Sequence, residues 1–381
     1  MFSIKLLGFR IYMFYLRFYK VKPNRIFLES FGGNTFGGTP KVIYDQLKDN
    51  KDYQIIVSLK KPIPNLNVKV VKRNTFKYYY YLATSKVILT NGRIMSLYIK
   101  RKKQVYIQTW HGTPLKHLVH DSHTAEFPGG QNETYLKRFD RAKNQWDYLL
   151  TQNNYSTEIF KQAFKYEKEI LEIGYPRNKK LYEYTDLDIK RIRAQLGITK
   201  DKKVILYTPT YRDNIYKDNE HYQDMMLDLE LLSQQQDIVV LLRTHYFVTK
   251  DLDLNKYKNI INVSDYQDIN NLYLASDCLL NDYSSTMFDY LILNKSIILF
   301  PYDYKEYMRL RGMYFNYNDI PARQIKNTKE LIDIVRDLDS YNNIYKDEYK
   351  DFKNKFIMPS EKDSTNILIN KINEIMETNH E

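Results

Sequence analysis

The chain alternates short apolar runs with segments of helical period. Arg25-Ile-Phe-Leu-Glu29 predicts a strand, Pro40 to Leu47 a helix entered through proline, and Tyr53 to Ser58 the next strand. Val87 to Thr90, Gln104 to Gln108 and Tyr148 to Thr151 extend the series. Nearly continuous apolar strands separated by helices belong to a parallel sheet covered on both faces. Residues 23–176 are therefore expected to form a Rossmann-like domain.

A charged stretch from Arg177 to Lys203 carries helical periodicity with few large apolar residues, and the connection between domains is expected at its start. The grammar then restarts. Val204 to Tyr207, Ile238 to Leu242, Ile261 to Val263, Cys278 to Leu280 and Ile297 to Phe300 predict the strands of a second doubly wound domain over residues 177–381. Its last helix is a candidate to pack back on the first domain. The expected fold class is α/β, with two facing Rossmann-like domains that enclose a cleft at the carboxyl ends of both sheets.

Residues 1–22 stand outside this grammar. They are apolar and rich in aromatics, but Lys5, Arg10, Arg17 and Lys20 interrupt the run and argue against a spanning helix. No clean apolar stretch leads to a small-residue cleavage site, which argues against a signal peptide. The segment reads as an amphipathic helix lying in an anionic headgroup region, or as a helix packed on the protein's own core; the basic and aromatic mixture favours the first.

Composition narrows the picture. A length of 381 residues exceeds what one core supports. The net charge of +12 implies nucleic acid, an anionic membrane or a phosphate-rich substrate as company, without choosing among them. The single Cys278 excludes an internal disulfide and fits a reducing, cytoplasmic setting. The 36 tyrosines, including Tyr78 to Tyr81, are taken as compositional bias and given no role.

Candidate chemistry falls after strands, as the architecture requires. His111 lies in Trp110-His-Gly-Thr113, His245 closes Leu242-Arg-Thr-His245, and Asn281-Asp-Tyr-Ser-Ser285 leads into a helix. Ser284 and Ser285 are good caps, and the neighbouring N–H groups at a helix start suit a diphosphate. His117, His120 and His123 do not reproduce a closed zinc set, so no metal and no cofactor are expected.

Four separated motifs then add up to a resemblance. Glu29-Ser-Phe-Gly-Gly33 with Thr39 to Tyr44, Trp110-His-Gly-Thr-Pro-Leu-Lys116, Leu206-Tyr-Thr-Pro-Thr-Tyr-Arg-Asp213, and Asn281 to Asp289 through Phe300 to Tyr307 resemble, in order, the CDP-glycerol glycerophosphotransferases of teichoic acid synthesis. The chain departs from that pattern at His245-Tyr246 and Lys295-Ser296, where the family usually has proline second.

The resemblance implies a GT-B architecture, an enzyme at the cytoplasmic face of the membrane, CDP-glycerol or CDP-ribitol as donor, and a polyprenyl diphosphate-linked acceptor. The first domain would bind acceptor and the second the donor. On this reading His111 is the general base, and His245 offsets charge on the leaving CMP. Arg212, Asp282, Ser284, Ser285 and Asp289 hold the donor, with an ordinary ion pair to Asp213 or a helix end as the alternative for Arg212 and a cap of its own turn as the alternative for Asp282, and Trp110, Gly112 and Thr113 support the loop. Two other readings stay open: a glycosyltransferase of the same architecture using a sugar nucleotide, and a noncatalytic basic protein bound to nucleic acid. The absence of a recognisable RNA- or DNA-binding signature disfavours the last.

Overall fold

The computed structural model describes residues 2–63, 66–94, 98–122, 133–210, 212, 216–217, 220–221, 226–244 and 253–378. The chain divides into two compact units, one of Met1–His111, Leu136–Lys179 and Pro359–Glu381, the other of Gly112–Tyr135 and Lys180–Met358.

The first unit is built on a seven-stranded parallel sheet in the order β3-β2-β1-β4-β5-β6-β7. The strands are β1 (Lys22–Glu29), β2 (Gln54–Leu59), β3 (Lys69–Lys72), β4 (Ser85–Thr90), β5 (Val105–Gln108), β6 (Tyr148–Thr151) and β7 (Glu169–Glu172). Every residue of β4 is buried, as are the last five of β1, because helices cover both faces of these central strands. The strand order reverses between β1 and β4, so the turns after Glu29 and Thr90 flank a crevice of the kind where doubly wound sheets bind ligands.

The second unit carries a five-stranded parallel sheet in the order β12-β11-β8-β13-β14 and a small antiparallel pair, β9 with β10. Its strands are β8 (Lys203–Tyr207), β9 (Tyr216–Lys217), β10 (Glu220–His221), β11 (Ile238–Leu242), β12 (Ile260–Asn262), β13 (Cys278–Asn281) and β14 (Ser296–Leu299). Here the order reverses between β8 and β13, which places Thr208, Pro209, Thr210 and Arg212 and the turn Asp282 to Ser285 at the reversal. Both units are thus Rossmann-type, the α/β class expected from the strand pattern, and consistent with the GT-B-like architecture that the resemblance implies.

The division differs from a single boundary at residue 176. The loop that follows β5 leaves the first unit directly after His111, and residues 359–381 return to that unit. The return has a packing cause: on the last helix, Ser364–Glu377, the stripe Leu368, Ile372 and Ile375 joins the core formed by Ile26, Leu28, Val57 and Val87. The connection near residue 177 is followed by the helices Lys179–Glu183 and Asp186–Gln195, the second held by a capping box between Thr185 and Asp188.

The N-terminal segment forms the helix Phe2–Tyr15, continued by a 3₁₀ turn to Phe18. From residue 8 onward, where the side chains are described, its apolar residues fall on two stripes. Phe9 packs on Tyr79 and Tyr12 on Phe76, with ring centroids 4.8 Å apart in each pair, and Leu16 is buried on the same stripe. Ile11, Phe14, Tyr15 and Phe18 form a second, exposed stripe at the same helical spacing. Among the described residues, no helix is long and apolar enough to cross a membrane.

Candidate active site

In the first unit, the turns after β1, β4 and β5 converge. The His111 Nδ1–H donates to the main-chain carbonyl of Asn91 at 2.9 Å, and since that carbonyl can only accept, the neutral ring carries its lone pair on Nε2. Asn91 also accepts from the Phe31 N–H at 2.7 Å through its side-chain oxygen, tying the β4 turn to the β1 turn. Behind the imidazole, Trp110 stacks at 4.6 Å and is itself wedged against Phe160 and Phe164. Trp110 holds a left-handed φ of 52°, a conformation unusual for a bulky residue and maintained by this packing.

His111 is exposed at its surface, so solvent reaches the ring despite the protein packed behind it. That surrounding protein disfavours the charged form and lowers its pKa below the ordinary 6.5; the Asn91 carbonyl opposes the shift, and the cations Arg177 and Arg93 add to it. Arg177 is held with its guanidinium 4.0 Å above the Tyr175 ring. A neutral imidazole with a fixed tautomer is what proton abstraction requires.

Sequence reading did not give a role to the polar cluster at the end of β1. Glu29 accepts from Ser58 at 2.7 Å and from Arg73 at 3.1 Å, with only 1% of its side chain exposed. Burial raises its pKa, partly offset by Arg73 and Ser58. Gly33 adopts a φ of 76°, where a side chain is strained, and a Cβ there would press to 3.2 Å on both Lys60 N and Arg73 Cδ.

In the second unit, Arg212 is held between two carboxylates. It forms a 3.0 Å salt bridge with Asp282 and a two-pronged pair with Asp303 at 2.6 and 3.0 Å, and it also donates to the Thr210 carbonyl. Its guanidinium lies 4.9 to 5.0 Å from the ring centroids of Tyr283, Tyr302 and Tyr307. Burial opposes its charge, but the two carboxylates outweigh this and raise its pKa.

Asp282 is 0% exposed and accepts from the Thr210 N–H at 2.9 and 3.0 Å, the Thr210 hydroxyl at 2.6 Å and the Tyr283 N–H at 2.6 Å. It therefore ties the β8 turn to the β13 turn. The sequence signal for this lock was the Asp303 of Phe300 to Tyr307, a motif quoted for the resemblance but given no task.

Ser284 and Ser285 follow on that locked turn, at the start of the helix Thr286–Tyr290. Ser285 is the cap by position, yet its side chain makes no capping hydrogen bond, whereas the Ser284 hydroxyl accepts from Thr286 Oγ1 at 3.0 Å. Asp289 sits within the helix and is buried to 7% exposure. Gly112 packs beside Ser285: a Cβ on it would lie 3.0 Å from the Ser285 hydroxyl. Thr113 is also buried, and Lys116 bridges to Met313 further along the same loop. His245 lies outside the described residues, as does His123. Among the described residues, no group of three His, Cys, Asp or Glu side chains could hold a metal ion.

The chain is similar to known proteins in sequence and fold. A family model described as CDP-Glycerol:Poly(glycerophosphate) glycerophosphotransferase matches residues 11–374. The teichoic acid poly(glycerol phosphate) polymerase of Staphylococcus epidermidis is 40% identical over 353 residues, 88% of this chain but 48% of that protein, so the chain spans about half the length of this relative. The protein of the same name from Bacillus spizizenii is 38% identical over 349 residues, 87% of this chain and 89% of its own. Among solved structures, the wall teichoic acid polymerase TagF, in a variant soaked with CDPG, superposes with a TM-score of 0.90 at 36% identity, covering 98% of this chain and 96% of that one. A match over nearly the whole length, joined to this degree of identity and the same fold, establishes that the chain belongs to the CDP-glycerol:poly(glycerophosphate) glycerophosphotransferase family.

Proposed function

We propose that the protein transfers glycerol phosphate from CDP-glycerol to a hydroxyl of a lipid-linked teichoic acid precursor, releasing CMP. The acceptor oxygen attacks the glycerol-bearing β-phosphorus, the bond from that phosphorus to the bridging oxygen breaks, and a phosphodiester forms. His111 Nε2 takes the hydroxyl proton. The observation that carries this reading is the Nδ1–H donation to Asn91, which leaves Nε2 as the basic nitrogen.

Ser284, Ser285 and the N–H groups of their turn are proposed to hold the donor phosphates, with Asp289 toward the ribose or polyol hydroxyls and Thr113 supporting the loop. Arg212 and Asp282 serve this site by fixing the turn on which the serines stand. The role of His245 in offsetting charge on the departing CMP rests on its sequence position alone. Glycerol is preferred to ribitol because the relatives described above are named for glycerol phosphate.

The lipid-linked acceptor and the exposed apolar stripe of the N-terminal helix, flanked by Arg10 and Arg17, support work at the cytoplasmic face of the membrane as a peripheral protein. The test supplies CDP-glycerol, CDP-ribitol and sugar nucleotides in parallel with a lipid-linked acceptor. CMP release and phosphodiester product with CDP-glycerol are expected, and product length distinguishes one addition from many. Turnover with a sugar nucleotide alone overturns the proposal.

A further inference from the structure

A cavity of about 490 Å³ lies in the first unit, beneath the N-terminal helix. Phe9, Met13, Leu16, Ala83 and Tyr98 give it an apolar lining. Four guanidinium groups, those of Arg10, Arg17, Arg101 and Arg141, also border it. Its volume falls in the range of about 300–1,000 Å³ typical of small-molecule sites, and such sites pair an apolar lining with a few placed polar groups.

Arg101 anchors the end of the N-terminal helical segment beside this space. Its guanidinium donates to the carbonyls of Arg17 at 3.0 Å, Tyr19 at 2.5 Å and Ala83 at 3.1 Å, which fixes the end of the helical segment through a cation at its carbonyl terminus. Arg10, Arg17 and Arg141 are exposed side chains, so their charges stand at the solvent side of an apolar chamber. Beside them, Phe14, Phe18 and Ile99 expose 55%, 71% and 63% of their surface. An apolar chamber ringed by cations fits an amphiphile with an anionic head, and apolar side chains at its rim fit entry from a lipid phase.

We propose that this cavity binds a single anionic phospholipid, with an acyl chain among Phe9, Met13, Leu16, Ala83 and Tyr98 and the phosphate between Arg10, Arg17 and Arg141. The inference rests on the membrane-surface reading of the N-terminal segment and is independent of the transfer chemistry. It adds a discrete lipid site to what would otherwise be diffuse attraction between a basic protein and an anionic surface.

The test uses the full chain and dioctanoyl phosphatidylglycerol below its micelle concentration, followed by calorimetry. Saturable binding of one lipid per chain is expected. Affinity should be at least about tenfold weaker for dioctanoyl phosphatidylcholine, for inorganic phosphate and for R10Q/R17Q/R141Q, whose changes are confined to exposed side chains. The variant's CDP-glycerol affinity and melting temperature should equal those of the parent. Equal binding by parent and variant, tighter binding of farnesyl phosphate than of the phospholipid, or sedimentation with anionic vesicles without saturable monomer binding each overturns the lipid site. The last result would leave the membrane-surface reading standing. Loss of vesicle binding by the parent chain would remove both.

Discussion

Arg212 and Asp282 form a salt bridge 3.0 Å long with 3% and 0% of their side chains exposed, at the point where the strand order of the second sheet reverses. Removing one partner of a buried pair leaves a charge with no compensation and costs about 3–5 kcal/mol. Arg212→Met should therefore lower the free energy of urea unfolding of the second unit by that amount, moving its midpoint to lower urea, and CDP-glycerol affinity should fall with it because the serine turn loses its anchor. A midpoint within experimental error of the parent would show that Asp282 is held by Thr210 and Tyr283 without the cation.

This pair also marks how far the sequence could be read. Asp213 is the neighbour of Arg212 along the chain, whereas the carboxylates it pairs with lie 70 and 91 residues away, a relationship no local pattern encodes. The central strands β1, β4, β8 and β13 were legible because burial on both faces demands unbroken apolar runs. The edge strands β3 and β7 were missed: Lys69-Val-Val-Lys72 and Glu169-Ile-Leu-Glu172 are four residues each, flanked by charge, as edges must be to resist further pairing. His111 could be singled out from its neighbours, but Asn91 could not, since its contribution is a main-chain carbonyl that any residue possesses.

The lowered pKa of His111 gives a pH dependence. The neutral form is the base, so kcat/KM should fall with acid through a pKa below 6.5, the ordinary histidine value. Arg177→Gln removes a cation that disfavours protonation, so the acidic limb should move upward in pH. A limb that stays in place in this variant would show that Arg177 does not act on the imidazole.

The last helix belongs energetically to the first unit. Ile372 is fully buried there, and Ile372→Ala should destabilise that unit by about 2–5 kcal/mol through lost burial and the cavity left behind. Thermal unfolding reports this directly, and an unchanged transition would contradict the packing described for residues 364–377.

Gly112 sits where a Cβ would be 3.0 Å from the Ser285 hydroxyl. Gly112→Val should push the serine turn aside and weaken CDP-glycerol binding by about tenfold, equivalent to ~1.4 kcal/mol. Unaltered affinity by calorimetry would separate Ser285 from the donor site.

The central claim is that His111 Nε2 removes the acceptor proton, and turnover of His111→Ala tests it most directly. CMP release from CDP-glycerol in the presence of lipid-linked acceptor should drop by about 10²–10⁴-fold, the contribution of a positioned general base, while donor affinity and melting temperature stay those of the parent. A rate near the parent's would contradict the account.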